Sequence, residues 1–250
     1  MGDLFFAVLY QPLYNLLVAV YDVLPPWGGL GLAIIIVTIL VKLLVLPATY
    51  KSLKAQKEMQ EIQPKIAEIR ERLKDDKEAM AKELMQVYKT HNVNPFASCL
   101  PAIVQMFVFI ALYQVLSAGF GDIRPEVLYS FVSNPGTMTA DFLGMDLREV
   151  SPLLGIIAGL VQYVQAKQMV TTRPPKAARE SATSLDEDMT AAMNRSMLYM
   201  LPLLMLIMGS FIIPAGLTMY IIVSTFLTYL MYKVFLGKKT PSSSSSPATT

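Results

Sequence analysis

Long apolar runs alternate with charged stretches along this chain, and the alternation sets out its elements. Leu30–Tyr50, LGLAIIIVTILVKLLVLPATY, is almost wholly apolar, and about 20 such residues suffice to cross a bilayer. It predicts a first membrane span over residues 30–50. Leu100–Phe120 predicts a second, within 98–120, and Leu153–Gln168 a third, within 150–169. Two shorter runs, 196–213 and 216–236, meet at Pro214-Ala215-Gly216 and predict a fourth and a fifth. Gly155 and Gly159 lie four apart in the third run, a spacing that lets helices approach closely.

The flanking segments differ in pattern. Residues 4–21 are apolar but interrupted by Gln11, Pro12 and Asn15, with Leu9, Leu13, Leu16, Leu17 and Val20 at helical spacing. That pattern predicts an amphipathic helix on the outer surface, within residues 1–29, with a true span as the alternative. Residues 51–97 hold ten Lys or Arg and eight Asp or Glu. Within them Met59, Ile62, Ile66, Ile69 and Leu73 recur at threes and fours, Lys74-Asp75-Asp76 breaks the series, and Met80, Leu84 and Val87 resume it. Such periodicity predicts two helices folded back as a hairpin with their apolar stripes facing. Pro64 is expected to bend the first helix or to begin a fresh turn. A solvated hairpin with no further role fits the charge pattern equally well.

Composition agrees with a membrane chain: 250 residues are 54% apolar and 16% charged, with a mean hydropathy of +0.46, against about 25% charge in soluble domains. The fold class expected is an all-α polytopic membrane protein. It is a five-span helical bundle with a cytoplasmic helical hairpin and an N-terminal amphipathic helix. Basic residues orient it. Segments 51–97, 167–195 and 233–239 carry ten, five and three, whereas 1–29 and 119–149 carry none and two. The positive-inside rule then puts the N-terminus outside, the loop 121–149 outside, and the hairpin, the loop 170–195 and the tail 237–250 in the cytoplasm. The tail, rich in serine, has no reason to fold. Neither a signal peptide nor an organellar transit peptide is legible, so a bacterial plasma membrane is expected.

Catalytic chemistry finds little support. The single Cys99 and single His91 leave no thiolate or histidine metal set, and no glycine-rich phosphate loop ends in Gly-Lys-Ser or Gly-Lys-Thr. No cofactor, no metal and no specificity for nucleic acid are expected. What stands out is Lys42, an ionisable group inside the first span, costly there and a mark of function by default. Its ammonium either snorkels to the headgroups or serves a polar cavity, and one role does not preclude the other. Thr38 shares its helix face, and Gln105, Gln162, Thr218, Tyr220 and Ser224 offer polar groups from other spans. A dry bundle would leave so many polar groups unsatisfied at a cost, so together they predict a hydrated recess beside Lys42. Ser224 has no base partner that would make it a nucleophile, and Ser224, Thr225 and Thr228 are read as interhelical hydrogen-bond donors to nearby backbone.

Several blocks carry a family resemblance: IIIVTILVKLLVLP, NPFASCLPAIVQMFVFIALYQVL, LLGIIAGLVQYVQAKQM and IIPAGLTMYIIVSTFLTYL, in this order around a charged hairpin. The chain resembles the YidC/Oxa1/Alb3 membrane protein insertase family, in its short five-span form. The resemblance implies a non-enzymatic insertase and chaperone. It would move nascent proteins of one or two spans from the cytoplasm into lipid through a hydrophilic groove, without nucleotide hydrolysis. It implies Lys42 as the groove charge, where the family more often has arginine, and the hairpin as the element that meets substrates. Nascent membrane proteins, the lipid bilayer, the Sec translocon and the ribosome are the partners it implies. A small-solute transporter and a structural chaperone without insertion activity are the rival classes.

Overall fold

The computed structural model describes residues 3–25, 27–94, 100–119, 123–169 and 185–236. The expected tail 237–250, Cys99 and the loop residues 170–184 lie outside these. Among the described residues the chain is mainly helical, with one short hairpin of strands inside an irregular segment over 123–151. Asp3–Asp22 runs as α1 (Asp3–Phe5), a π-helical turn (Phe6–Tyr10) and α2 (Gln11–Asp22). There follow α3 (Gly29–Leu44), α4 (Leu46–Arg72), α5 (Lys77–Thr90) and α6 (Leu100–Gly119). Strands β1 (Asp141–Phe142) and β2 (Met145–Asp146) precede α7 (Pro152–Met169), α8 (Leu185–Phe211) and α9 (Ala215–Leu236).

The five-span bundle is overturned. Among the described residues, two helices are long and apolar enough to cross a membrane, Asp3–Asp22 and Ala215–Leu236. A third counts only if the pair Gly29–Leu44 and Leu46–Arg72, bent by 69°, is taken as one span. The five-span form in which the family resemblance was read falls with it. Among the described residues, Ile103–Leu116 within α6 and Leu198–Phe211 within α8 are shorter apolar stretches. In α7 the second half carries Gln162, Gln165, Lys167 and Gln168. The run 30–50 is not one straight rod either. Pro47, at the start of α4, has no N–H to give Leu43's carbonyl, and the chain turns there. Asp3–Asp22, expected as a surface amphipathic helix with a true span as the alternative, has the length and composition of a span.

The main core gathers Tyr14, Leu17 and Val18 of α2, Leu30, Ala33, Ile34 and Val37 of α3, Ala111, Leu112 and Val115 of α6, Leu147, and Leu217 and Tyr220 of α9. Apolar side chains on the opposite faces, such as Ile39, Leu43, Ile103, Phe107, Ile156, Leu204 and Phe226, are exposed. So much outward apolar surface suits lipid and not water. In α7 the glycines face α8: a Cβ at Gly155 would overlap Ser210, and one at Gly159 would lie 2.8 Å from Leu206 Cβ.

One end of the bundle is closed by residues 123–151. Asn15 Nδ2 donates to the Val127 carbonyl (2.9 Å) and its Oδ1 accepts from the Tyr129 N–H (2.6 Å). Tyr14 Oη accepts from the Arg124 N–H (2.8 Å) and Tyr21 Oη from the Thr139 N–H (2.9 Å). The carbonyls of Glu149 and Leu147 accept from the N–H groups of Ala215 and Gly216 at the start of α9 (2.7 and 3.0 Å). Strands β1 and β2 pair antiparallel around Leu143 and Gly144, both at positive φ. Hydrogen bonds from Arg148, with its charge, hold the Asp146 carboxyl below the usual carboxylate range.

At the other end, Lys57 Nζ of α4 donates to the Leu236 carbonyl that ends α9 (3.1 Å), and the Tyr50 ring meets Phe235 edge-on at 5.5 Å. Beyond it α4 and α5 fold back on each other. Asp76 caps α5 by accepting from the Ala79 N–H (2.9 Å). Ile62, Ile66 and Val93 form a small core closed by Met59, Leu84, Val87 and Tyr88. Ile69 is buried, and Leu73 and Met80 are half-buried. Pro64 neither breaks nor restarts the helix; it lies inside a continuous α4.

Candidate functional site

Three helices bring polar side chains together inside the bundle. Lys42 sits on the third-last residue of α3, half-buried. Its Nζ donates to Gln105 Oε1 of α6 (3.2 Å) and to Thr228 Oγ1 of α9 (3.1 Å). Gln105 Nε2 donates to Tyr220 Oη, and Gln105 Oε1 also accepts from Ser224 Oγ (3.1 Å). Thr228 Oγ1 spends its own proton on the Ser224 carbonyl (2.9 Å), which leaves its lone pairs facing the ammonium. Tyr220, Ser224 and Thr228 stand four residues apart and so share one stripe of α9.

The electrostatics are one-sided. An ammonium has three donors, and two of Lys42's are placed on neutral oxygens. Among the described residues no carboxylate pairs with it. A cation in apolar surroundings is normally neutralised by a partner. Here it is solvated by an amide, a hydroxyl and whatever enters beside them. That arrangement attracts an anion and offers it a donor. It provides no nucleophile paired with a base, and the described residues contain no group of three or more His, Cys, Asp or Glu that could hold a metal.

The other candidates divide. Thr38 is buried on the Lys42 face, yet its hydroxyl donates to the Ile34 carbonyl in its own helix (2.6 Å). Thr218 is buried and donates to the Ile213 carbonyl (3.4 Å), securing the start of α9. Gln162 is half-buried on α7 and is not brought into the cluster. Thr228 was read from sequence only as a hydrogen-bond donor to nearby backbone; it does donate to the Ser224 carbonyl, and it also joins the Lys42 cluster as an acceptor.

A family model described as 60Kd inner membrane protein matches residues 22–242, which carry every member of this cluster. The chain belongs to that family. Its relatives include proteins named membrane protein insertase YidC from three bacteria. That of Oceanobacillus iheyensis is 33% identical over 84% of this chain and 77% of its own length. That of Citrifermentans bemidjiense is 34% identical over 84% of this chain and 34% of its own. That of Geobacter metallireducens is 33% identical over 90% of this chain and 36% of its own. The chain thus spans about a third of the length of the two longer relatives, and the 60Kd family, a membrane protein family by its description, covers most of it.

Proposed function

We propose that this chain is a membrane protein insertase and chaperone that passes nascent proteins of one or two spans from the cytoplasm into the bilayer. The observation that carries the reading is the Lys42 cluster: a cation within the bundle, joined to Gln105 and Thr228 and lacking a carboxylate partner among the described residues. The names of the relatives support the same class. No nucleotide is hydrolysed in this scheme; the transfer energy of the apolar substrate segment drives it.

In the mechanism, a nascent segment first meets the hairpin of α4 and α5, then enters a hydrophilic groove beside Lys42. The ammonium attracts acidic groups of the segment's polar part and shares their solvation. A charge at the bilayer centre costs about 2.5–3.5 kcal/mol on insertion scales, so relieving it accelerates transfer up to about a hundredfold. Residues 123–151 close the far end, which favours entry from the hairpin side. The apolar part then leaves sideways into lipid. The family resemblance adds the Sec translocon and the ribosome as partners.

The test is insertion of single-span substrates into vesicles containing only this protein. Lys42→Ala is expected to slow substrates with acidic outer segments by ten- to a hundredfold and to leave those without acidic residues near the parental rate. Lys42→Arg keeps the charge and is expected to retain most insertion. Unchanged insertion of several acidic substrates by the alanine variant would remove Lys42 from the mechanism.

A further inference from the structure

A second basic site lies on a different face of α9. Among the described residues, Val164, Lys167 and Gln168 of α7 and Tyr229 and Lys233 of α9 line an open crevice of about 360 Å³. Tyr229 and Lys233 are four apart and turned well away from the stripe of Tyr220, Ser224 and Thr228, by about 100° per residue along the helix. The lining therefore shares no residue with the Lys42 cluster. Among the described residues it includes two ammonium groups, an amide and a phenol.

The position of the crevice narrows its occupant. Lys233 is three residues from the end of α9 and Lys167 two from the end of α7, at the end of the bundle where Lys57 meets the Leu236 carbonyl. Val164, one turn before Lys167, is exposed and apolar. Lys167 Nζ lies 5.7 Å from the Tyr163 ring centroid, a cation–π distance that steadies the side chain. The crevice is thus cationic at its rim and apolar just below, and it opens beside outward apolar surface. A soluble anion would use only the rim; a phospholipid would use both.

We infer that the crevice between α7 and α9 binds the phosphodiester headgroup of an anionic phospholipid of the leaflet on the hairpin side. Its acyl chains run down over Val164 and the neighbouring apolar face. Basic pockets between membrane helices take such headgroups. The ends of α7 and α9 are the negative ends of their helix dipoles, so the attraction comes from the lysine pair, and removing that pair should abolish the preference for anionic lipid. This inference rests neither on the insertase reading nor on Lys42.

The test titrates the full chain in detergent with phosphatidylglycerol or phosphatidylcholine and counts bound lipid by native mass spectrometry. The parent is expected to prefer phosphatidylglycerol. Lys167→Gln with Lys233→Gln is expected to weaken that preference about thirtyfold, roughly fivefold for each lysine. Lys167→Arg with Lys233→Arg should retain it. Lys74→Gln with Lys77→Gln, on the exposed hairpin turn, removes the same charge elsewhere and should leave the preference intact. Equal loss in the two glutamine pairs, or loss in neither, would overturn the site. Displacement of the lipid by glycerol phosphate at comparable concentration would show a soluble anion site and overturn the lipid assignment.

Discussion

Asn15 is the residue on which the closed end of the bundle turns. Buried among apolar neighbours, it satisfies a carbonyl and an N–H of the segment 123–151 at once, through Val127 and Tyr129. Replacing it with leucine keeps the branched outline, strands the Tyr129 N–H at about 1–3 kcal/mol and leaves the Val127 carbonyl to Gln11 Nε2 alone (3.2 Å). Asn15→Leu is therefore expected to destabilise the protein by about 1–3 kcal/mol, read as a lower unfolding midpoint in detergent with faster protease cleavage within 123–151. Unchanged cleavage would show that other contacts hold the segment. In the sequence Asn15 is visible only as a polar interruption four residues from Gln11. Its partners lie more than a hundred residues on and are main-chain atoms, which carry no mark in the amino-acid string. Lys42 was legible because a charge in an apolar run has few innocent explanations. Thr228 was not, because its side chain also bonds its own helix, the commonest fate of a threonine in such a helix.

Among the elements, the α4–α5 hairpin shows best how periodicity becomes packing. Met59, Ile62 and Ile66 on α4 meet Leu84, Val87 and Tyr88 on α5, and the turn sits at Leu73–Asp76, where the apolar series stops. Each position follows from a repeat of 3.6. The bend between α3 and α4 does not. Pro47 falls inside an apolar run, and hydropathy is blind to a missing N–H, so a run of span length became a 16-residue helix and a turned continuation. Counting apolar runs measures composition and does not register such a turn. Ile66→Asp sets a carboxylate in the small hairpin core, at a cost of about 3–5 kcal/mol. Amides of α5 are expected to exchange at least about a hundredfold faster, while those of α9 stay protected. Loss of protection in both would mean that the hairpin and bundle unfold together.

At the scale of the whole molecule, α3 and α9 join two chemically different ends. One gathers Gly29, residues 123–151 and the start of α9, with two basic and five acidic residues over 121–149. The other holds α4 and α5, with ten basic residues over 51–97. Basic residues close to membrane segments remain on the cytoplasmic side, whereas acidic residues exert little control. By that rule the hairpin end is expected on the cytoplasmic side, an expectation that needs no count of spans. The exposed Ala81 on α5 and Ser133 in the closed end report the two sides. With Cys99 replaced by serine, Ala81→Cys in intact cells is expected to react with a membrane-impermeant maleimide only after the membrane is opened. Ser133→Cys is expected to react in whole cells. The reverse pattern would invert the molecule and place the hairpin where no nascent chain emerges. Reaction of both positions from one side would put the two ends on the same face of the membrane, and the path from hairpin to groove to lipid would then have no direction.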